Sequence, residues 1–169
     1  MSAHKNILSK ETAAQKIQRL ALEVAENLSG DNAPLIIVGI KEHGIVIAEK
    51  INSLLIKYIN AAPQIISMAF DKNQPGEIKL SEEVDFSGKN VLLIDDVCNS
   101  GKTLLYALKP MLGFYPKRIQ TLVLIDRMHK LYPVKPDYVG LSLATTLQDF
   151  IHVEVVNNEI NGAFVDSVS

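Results

Sequence analysis

The chain has 169 residues, 47% of them apolar, with a net charge of -2 and an isoelectric point of about 6.1. That length suits a single domain, 1–169, with a core of its own, and the charge supplies no global field to draw in nucleic acid or an anionic membrane. One cysteine, Cys98, excludes an internal disulfide, no apolar run approaches the ~20 residues of a membrane span, and the N-terminus MSAHKNILSKETAAQKIQ lacks a secretory apolar core, so a cytoplasmic protein is expected.

Residues 9–29 are predicted as a helix, with Ser9 as N-cap, Ile17, Leu20, Val24 and Leu28 at helical spacing, and Gly30 as the stop. His4, ahead of it, is expected in a disordered terminus. The apolar run PLIIVGI, 34–40, predicts a strand buried on both faces. KEHG then reads as a turn, 45–59 as a helix and 64–70 as a second strand. The polar stretch DKNQPGEIKLSEEVDFSGKN carries Pro75 and Gly76 and reads as a loop or hairpin. A strand at 91–95, a helix at 101–112 ended by Gly113 and Pro116, and strands at 118–125, 138–143 and 151–156 complete the chain. Strands alternating with helices imply an α/β fold, with a mainly parallel sheet flanked by helices. Ligands of such sheets sit at the carboxyl ends of the strands, which puts 39–44, 95–103 and 126–130 along one rim.

The stretch VLLIDDVCNSGKTL, 91–104, carries the chemistry. Asp95 and Asp96 end a buried strand, and two neighbouring carboxylates repel unless something bonds or neutralises them. The vicinal hydroxyls of a ribose can do so, and so can a magnesium ion, directly or through water. The plain alternative is an aspartate that begins a turn and caps it. Asn99, Ser100, Gly101, Lys102 and Thr103 open a helix, where free N–H groups, two hydroxyls and an ammonium favour a phosphate; an ordinary N-cap is the rival. A Walker A loop would require glycine at 96, where the chain has Asp, and no G-x-G-x-x-G follows a strand. Cys98 reads as a small space-filler. His152 reads as structural and His129 as a turn residue, and no cluster has zinc-ligand spacing.

These residues resemble a known family. VLLIDDVCNSGKT resembles the phosphoribosylpyrophosphate (PRPP) signature of type I phosphoribosyltransferases, and LIIVGIKEHGIVIAEKI, 35–51, is similar to the family's pyrophosphate loop. LIDRMHKLYPVKPDYVGLSL, 124–143, is similar to the pyrimidine operon attenuator / uracil phosphoribosyltransferase subfamily, and the likeness covers roughly residues 7–156.

The resemblance implies the type I phosphoribosyltransferase fold with a small hood at about 138–156. It implies that Asp95 and Asp96 hold the ribose hydroxyls and Mg²⁺ and serve catalysis, and that Asn99 to Thr103 hold the 5-phosphate. Lys41, Glu42, His43 and Gly44 would line the pyrophosphate, with a strained, sometimes cis, peptide beside Gly44. Asp126, Arg127 and Ile151 would meet the base. The implied reaction transfers 5-phosphoribose from PRPP to a nucleobase. Purine members carry an acid where this chain has Asn99 and a lysine where it has Asp126, so uracil is favoured. The segment 71–85 is shorter than the subfamily's closing hairpin, and its cations are Lys72 and Lys79. That keeps open a catalytically weak PRPP- or nucleotide-sensing regulator. RNA binding, the subfamily's other activity, needs a basic face, and this chain's cations are scattered, so RNA is a lesser expectation. Relatives imply a homodimer or higher homo-oligomer.

Overall fold

The structure is a computed structural model that describes residues 3–146 and 148–167. In chain order the elements are β1 (Ala3–Ser9), α1 (Lys10–Asn27), β2 (Leu35–Ile40), α2 (Lys41–Leu55), β3 (Gln64–Ala69), β4 (Lys79–Leu80), β5 (Asn90–Cys98), α3 (Lys102–Ala107), a 3-10 turn (Lys109–Met111), β6 (Arg118–Arg127), β7 (Tyr138–Leu143), β8 (Asp149–Val156) and β9 (Glu159–Ser167). Six strands form one sheet in the order β4-β3-β2-β5-β6-β7, parallel except for the short edge strand β4. The other three form an antiparallel sheet, β1-β9-β8.

Strand parity divides the apolar runs between two cores. Ile37 on β2, Leu92 and Ile94 on β5 and Leu122 and Leu124 on β6 face α1 and α2, where they meet Leu20, Ile47 and Ile51. Ile36, Val38, Val91, Leu93 and Val123 face the other way, onto Phe86, Leu104, Ala107 and Met111. A strand buried on both faces needs an unbroken apolar run, which is why PLIIVGI and VLLI read as they do. The same parity continues into the acids. Asp95 follows Leu93 toward α3, and Asp96 follows Ile94 toward α2.

Helix α1 begins as expected. Ser9 is extended, and its Oγ accepts the Thr12 N–H at 3.1 Å. Helix α2 begins earlier than expected. KEHG is its first turn rather than a connecting turn, and Lys41 makes the break from β2 with a φ of 55°. Gly44 permits this, because a Cβ there would stand 2.7 Å from the Ile94 carbonyl oxygen. None of the described peptide bonds is cis. Strand β5 runs through both acids to Cys98, three residues past its expected end, held by parallel pairing with β6 as far as Asp126. Helix α3 is shorter than expected; Pro110, which has no N–H to give an α-helix, sits in the 3-10 turn that follows.

The segment expected as a hood, 138–156, is divided between the two sheets. Residues 138–143 are β7 and belong to the main sheet, while the second sheet is built from β8, β9 and the N-terminal β1. His4 therefore lies in a strand, opposite Asp166, with its Nδ1 3.0 Å from the carboxylate. Asn157 and Asn158, at φ 51° and 59°, form the two-residue turn between β8 and β9. Leu8, Val153, Ile160 and Ala163 anchor this sheet to the α1/α2 core. Among the described residues no helix is long and apolar enough to cross a membrane.

Candidate active site

The carboxyl ends of β2, β3 and β5 and the segments beyond them form a groove. Its larger part is a cleft of about 810 Å³ lined by Lys41, Glu42 and His43 of α2, Phe70 and Lys72 after β3, and both acids. Its smaller part is a pocket of about 60 Å³ lined by Asn99, Ser100, Gly101, Lys102 and Thr103 together with Asp95 and Lys72. Two sequence-predicted groups, 41–43 and 99–103, thus open on either side of the acids.

The two acids live in different surroundings. The Asp95 side chain is 1% exposed and that of Asp96 14%. Asp95 Oδ1 accepts the Asp96 N–H at 2.9 Å, and Asp96 Oδ1 accepts the Val97 N–H at 2.8 Å. Burial, with the neighbouring Asp96 charge, pushes the Asp95 carboxyl up to about 7. Burial works against ionisation at Asp96 too, but hydrogen bonds from His43 and Asp95 and the Lys72 charge outweigh it and hold Asp96 at about 2. His43 Nδ1 lies 2.9 Å from Asp96 Oδ2, and that bond raises the imidazole above its ordinary value. Lys72 Nζ donates to both oxygens of Asp95, at 3.2 and 3.3 Å.

The small pocket is built by close backbone packing. Gly101 has a φ of 87°, and a Cβ on it would stand 2.9 Å from the Val134 carbonyl oxygen. The Leu131 and Tyr132 N–H groups both donate to the Ser100 carbonyl at 3.0 Å. Gly101, rather than Asn99 or Ser100, is the N-cap of α3, and no side chain caps that helix. Ser100 Oγ instead accepts the Lys102 N–H at 3.3 Å. Cys98 is buried beneath, its thiol pushed up to about 11 chiefly by burial, so it is no nucleophile near neutral pH.

The residues expected at the base lie elsewhere on the rim. Asp126 is buried at the end of β6 and paired with Lys130, whose ammonium also donates to the Arg127 and Asn99 carbonyls. Arg127 donates to the Thr146 carbonyl. Ile151 packs against the α1/α2 core from β8 and lines neither pocket. Sequence reading put Lys130 on the rim and Lys72 among the cations of 71–85, but gave neither a partner: Lys130 had a signal, four residues beyond Asp126, and Lys72 had none for its contact with Asp95.

Among the described residues no group of three or more His, Cys, Asp or Glu is arranged to hold a metal ion. The adjacent pair Asp95 and Asp96 fits the weaker demand of Mg²⁺, which takes one or two carboxylates and completes its shell with water and substrate oxygens.

Known proteins share both sequence and fold with this chain. A family model described as Phosphoribosyl transferase domain matches residues 3–157. The Bifunctional protein PyrR of Limosilactobacillus reuteri subsp. reuteri (strain JCM 1112) is 32% identical over 162 residues, covering 88% of this chain and 90% of that protein. The Bifunctional protein PyrR of Streptococcus pneumoniae (strain CGSP14) is 30% identical over 156 residues, covering 89% and 90%. The hypoxanthine phosphoribosyltransferase of Trypanosoma cruzi has a TM-score of 0.81 at 17% identity, covering 98% of this chain and 97% of that one. A hypoxanthine-guanine phosphoribosyltransferase from Bacillus anthracis has a TM-score of 0.72 at 23% identity, covering 98% of both chains. At those identities the two superpositions speak for the fold. The resemblance to the pyrimidine operon attenuator / uracil phosphoribosyltransferase subfamily is thereby borne out. The chain belongs to the phosphoribosyl transferase domain family and is a phosphoribosyltransferase.

Proposed function

We propose that the chain transfers 5-phosphoribose from PRPP to uracil and releases pyrophosphate. One observation carries this reading: the acid pair lies between a small pocket of phosphate size and a large cleft headed by the first turn of a helix. A sugar held by its vicinal hydroxyls on Asp95 and Asp96 would reach both. Its 5-phosphate would meet the N–H groups and hydroxyls of Asn99 to Thr103, and its pyrophosphate the N–H groups of Lys41 to Gly44, at the positive end of the α2 dipole.

The bond from the sugar's anomeric carbon to the pyrophosphate oxygen breaks, a bond to the base nitrogen forms, and the nitrogen's proton passes to water. The chain's part is positioning and charge placement rather than covalent catalysis. Asp96, held ionised, accepts a sugar hydroxyl as it stands. Asp95, raised to about 7 chiefly by burial, would take the same role with a metal cation in place of the Lys72 ammonium that now bonds it. When bound, Mg²⁺ supplies positive charge to the departing pyrophosphate oxygens. The base would lie on the rim near Asp126 and Arg127. Asn99 has no useful basicity toward a purine ring nitrogen, and Asp126 brings a carboxylate where a purine oxygen would want a donor, which favours uracil.

The test is pyrophosphate release from Mg-PRPP with uracil, hypoxanthine, guanine, xanthine or adenine supplied singly. Release with uracil alone is the expected result; release with a purine alone overturns the choice of base. A second reading, a regulator that binds PRPP or nucleotide and RNA, is favoured by the curated relatives, which are named bifunctional. A steep fall of RNA affinity with added salt would support it. The family resemblance implies a homo-oligomer, and the composition a cytoplasmic setting.

A further inference from the structure

Lys72 lies on the wall of both pockets. Its ammonium is 3.2 and 3.3 Å from the two oxygens of Asp95 and 3.9 Å from Asp96 Oδ1. The Asp95 side chain is only 1% exposed, and this ammonium bonds both of its oxygens. The next residue engages the other nearby cation: the Asn73 carbonyl accepts from Lys102 Nζ at 3.3 Å. The two cations that line the small pocket, Lys72 and Lys102, are therefore engaged by contacts that involve the loop after β3. That loop is tied back to the sheet at its far end by β4, through two residue pairs, Met68 with Leu80 and Ala69 with Lys79.

We propose that Lys72 is an internal plug: in the ligand-free chain it stands in for a cation on the acid pair and divides the groove, and a phosphoribosyl ligand spanning both pockets must expel it. This rests on the PRPP reading above. The ligand's hydroxyls and its metal compete with Lys72 for the same carboxylate oxygens. Withdrawal of the loop also frees Lys102 from Asn73 to meet the phosphate. The groove is then continuous only in the occupied state, and the free energy of the Lys72 contacts is subtracted from ligand affinity.

The experiment is calorimetric titration of Mg-PRPP into the parent, Lys72→Met, Lys72→Gln and Lys72→Arg proteins at one fixed pH of about 8. Circular dichroism of each protein establishes that it is folded. The expected result is binding about fivefold tighter for the Met and Gln variants, the scale of one partly exposed ion pair, and binding no tighter than the parent for Arg, which can still bridge the acids. Equal or weaker binding by Met and Gln overturns the plug and leaves the PRPP reading standing, since Lys72 would then be neutral or a ligand contact. No binding by any of the four proteins overturns the PRPP reading and the plug with it.

Discussion

His43 Nδ1 is 2.9 Å from Asp96 Oδ2, so the first turn of α2 is tied to the second acid of β5. The tie affects both partners: it raises the imidazole and helps to hold the carboxyl at about 2. The His43 share of stability is complete below the unfolded value of 6.5 and is lost as pH rises through the raised folded value. The Asp96 share is present above 3.8 and is lost as pH falls toward 2. His43→Ala is therefore expected to cost about 0.5–1 kcal/mol at about pH 6 and less at about pH 9, the small figure reflecting a half-exposed side chain. Urea midpoints at the two pH values check this, and a gap that stays constant would contradict it.

Asp95 has the opposite sign. Its folded carboxyl is raised to about 7 by burial, so between 3.8 and 7 the folded chain holds the proton more tightly than the unfolded one. Stability due to Asp95 falls through that window as pH rises and stays low above it. In metal-free protein at about pH 8, Asp95→Asn is expected to raise the melting temperature by about 2–4 °C, while Asp96→Asn lowers it. At about pH 4 the Asp95→Asn gain should vanish. Opposite shifts from adjacent acids are the signature to look for in a thermal scan.

Two glycines hold the groove's backbone in place. Gly44→Ala would press a methyl against the Ile94 carbonyl, and Gly101→Ala would meet the Val134 carbonyl from a φ of 87°. Each is expected to cost about 1–3 kcal/mol and to weaken PRPP binding, since neither carbonyl can move without its strand or loop. Gly76→Ala and Gly113→Ala, where a Cβ meets nothing within 4 Å, should stay within about 0.5 kcal/mol of the parent. Denaturant titration of the four variants separates the two classes.

Lys130 clamps the strand end to the phosphate-side loop, through Asp126 and the Asn99 carbonyl. Lys130→Met leaves Asp126 buried without a cation, at a cost of about 3 kcal/mol. Adding Asp126→Asn in the same chain should recover most of that loss. A double mutant no more stable than Lys130→Met would show that the ion pair is not what Lys130 provides.

The main sheet was legible because its strands are buried on both faces, which demands unbroken apolar runs such as PLIIVGI and VLLI. The acids and the Asn99–Thr103 turn were legible because their chemistry is contiguous in sequence. Strands β1 and β9 were not legible. AHKNILS and EINGAFVDS interrupt their apolar residues with polar ones, and they pair with each other across nearly the whole chain. The turn Asn157-Asn158 was the one local sign of the hairpin that includes β9. The early start of α2 was hidden because Gly44 reads as a break, whereas its small size is what lets the helix approach Ile94. Ile151 was expected at the base and packs instead on the core, because its strand belongs to the second sheet.

The most direct measurement is the affinity of Mg-PRPP for the parent and for Asp96→Asn, taken by calorimetry on proteins of matched circular dichroism. Asp96 is the less buried, ionised member of the pair, and its amide replacement removes a charged acceptor from a sugar hydroxyl. The expected result is binding by the parent and a loss of about tenfold or more in the variant. Equal affinity in the two proteins would contradict the assignment of the acid pair to the ribose.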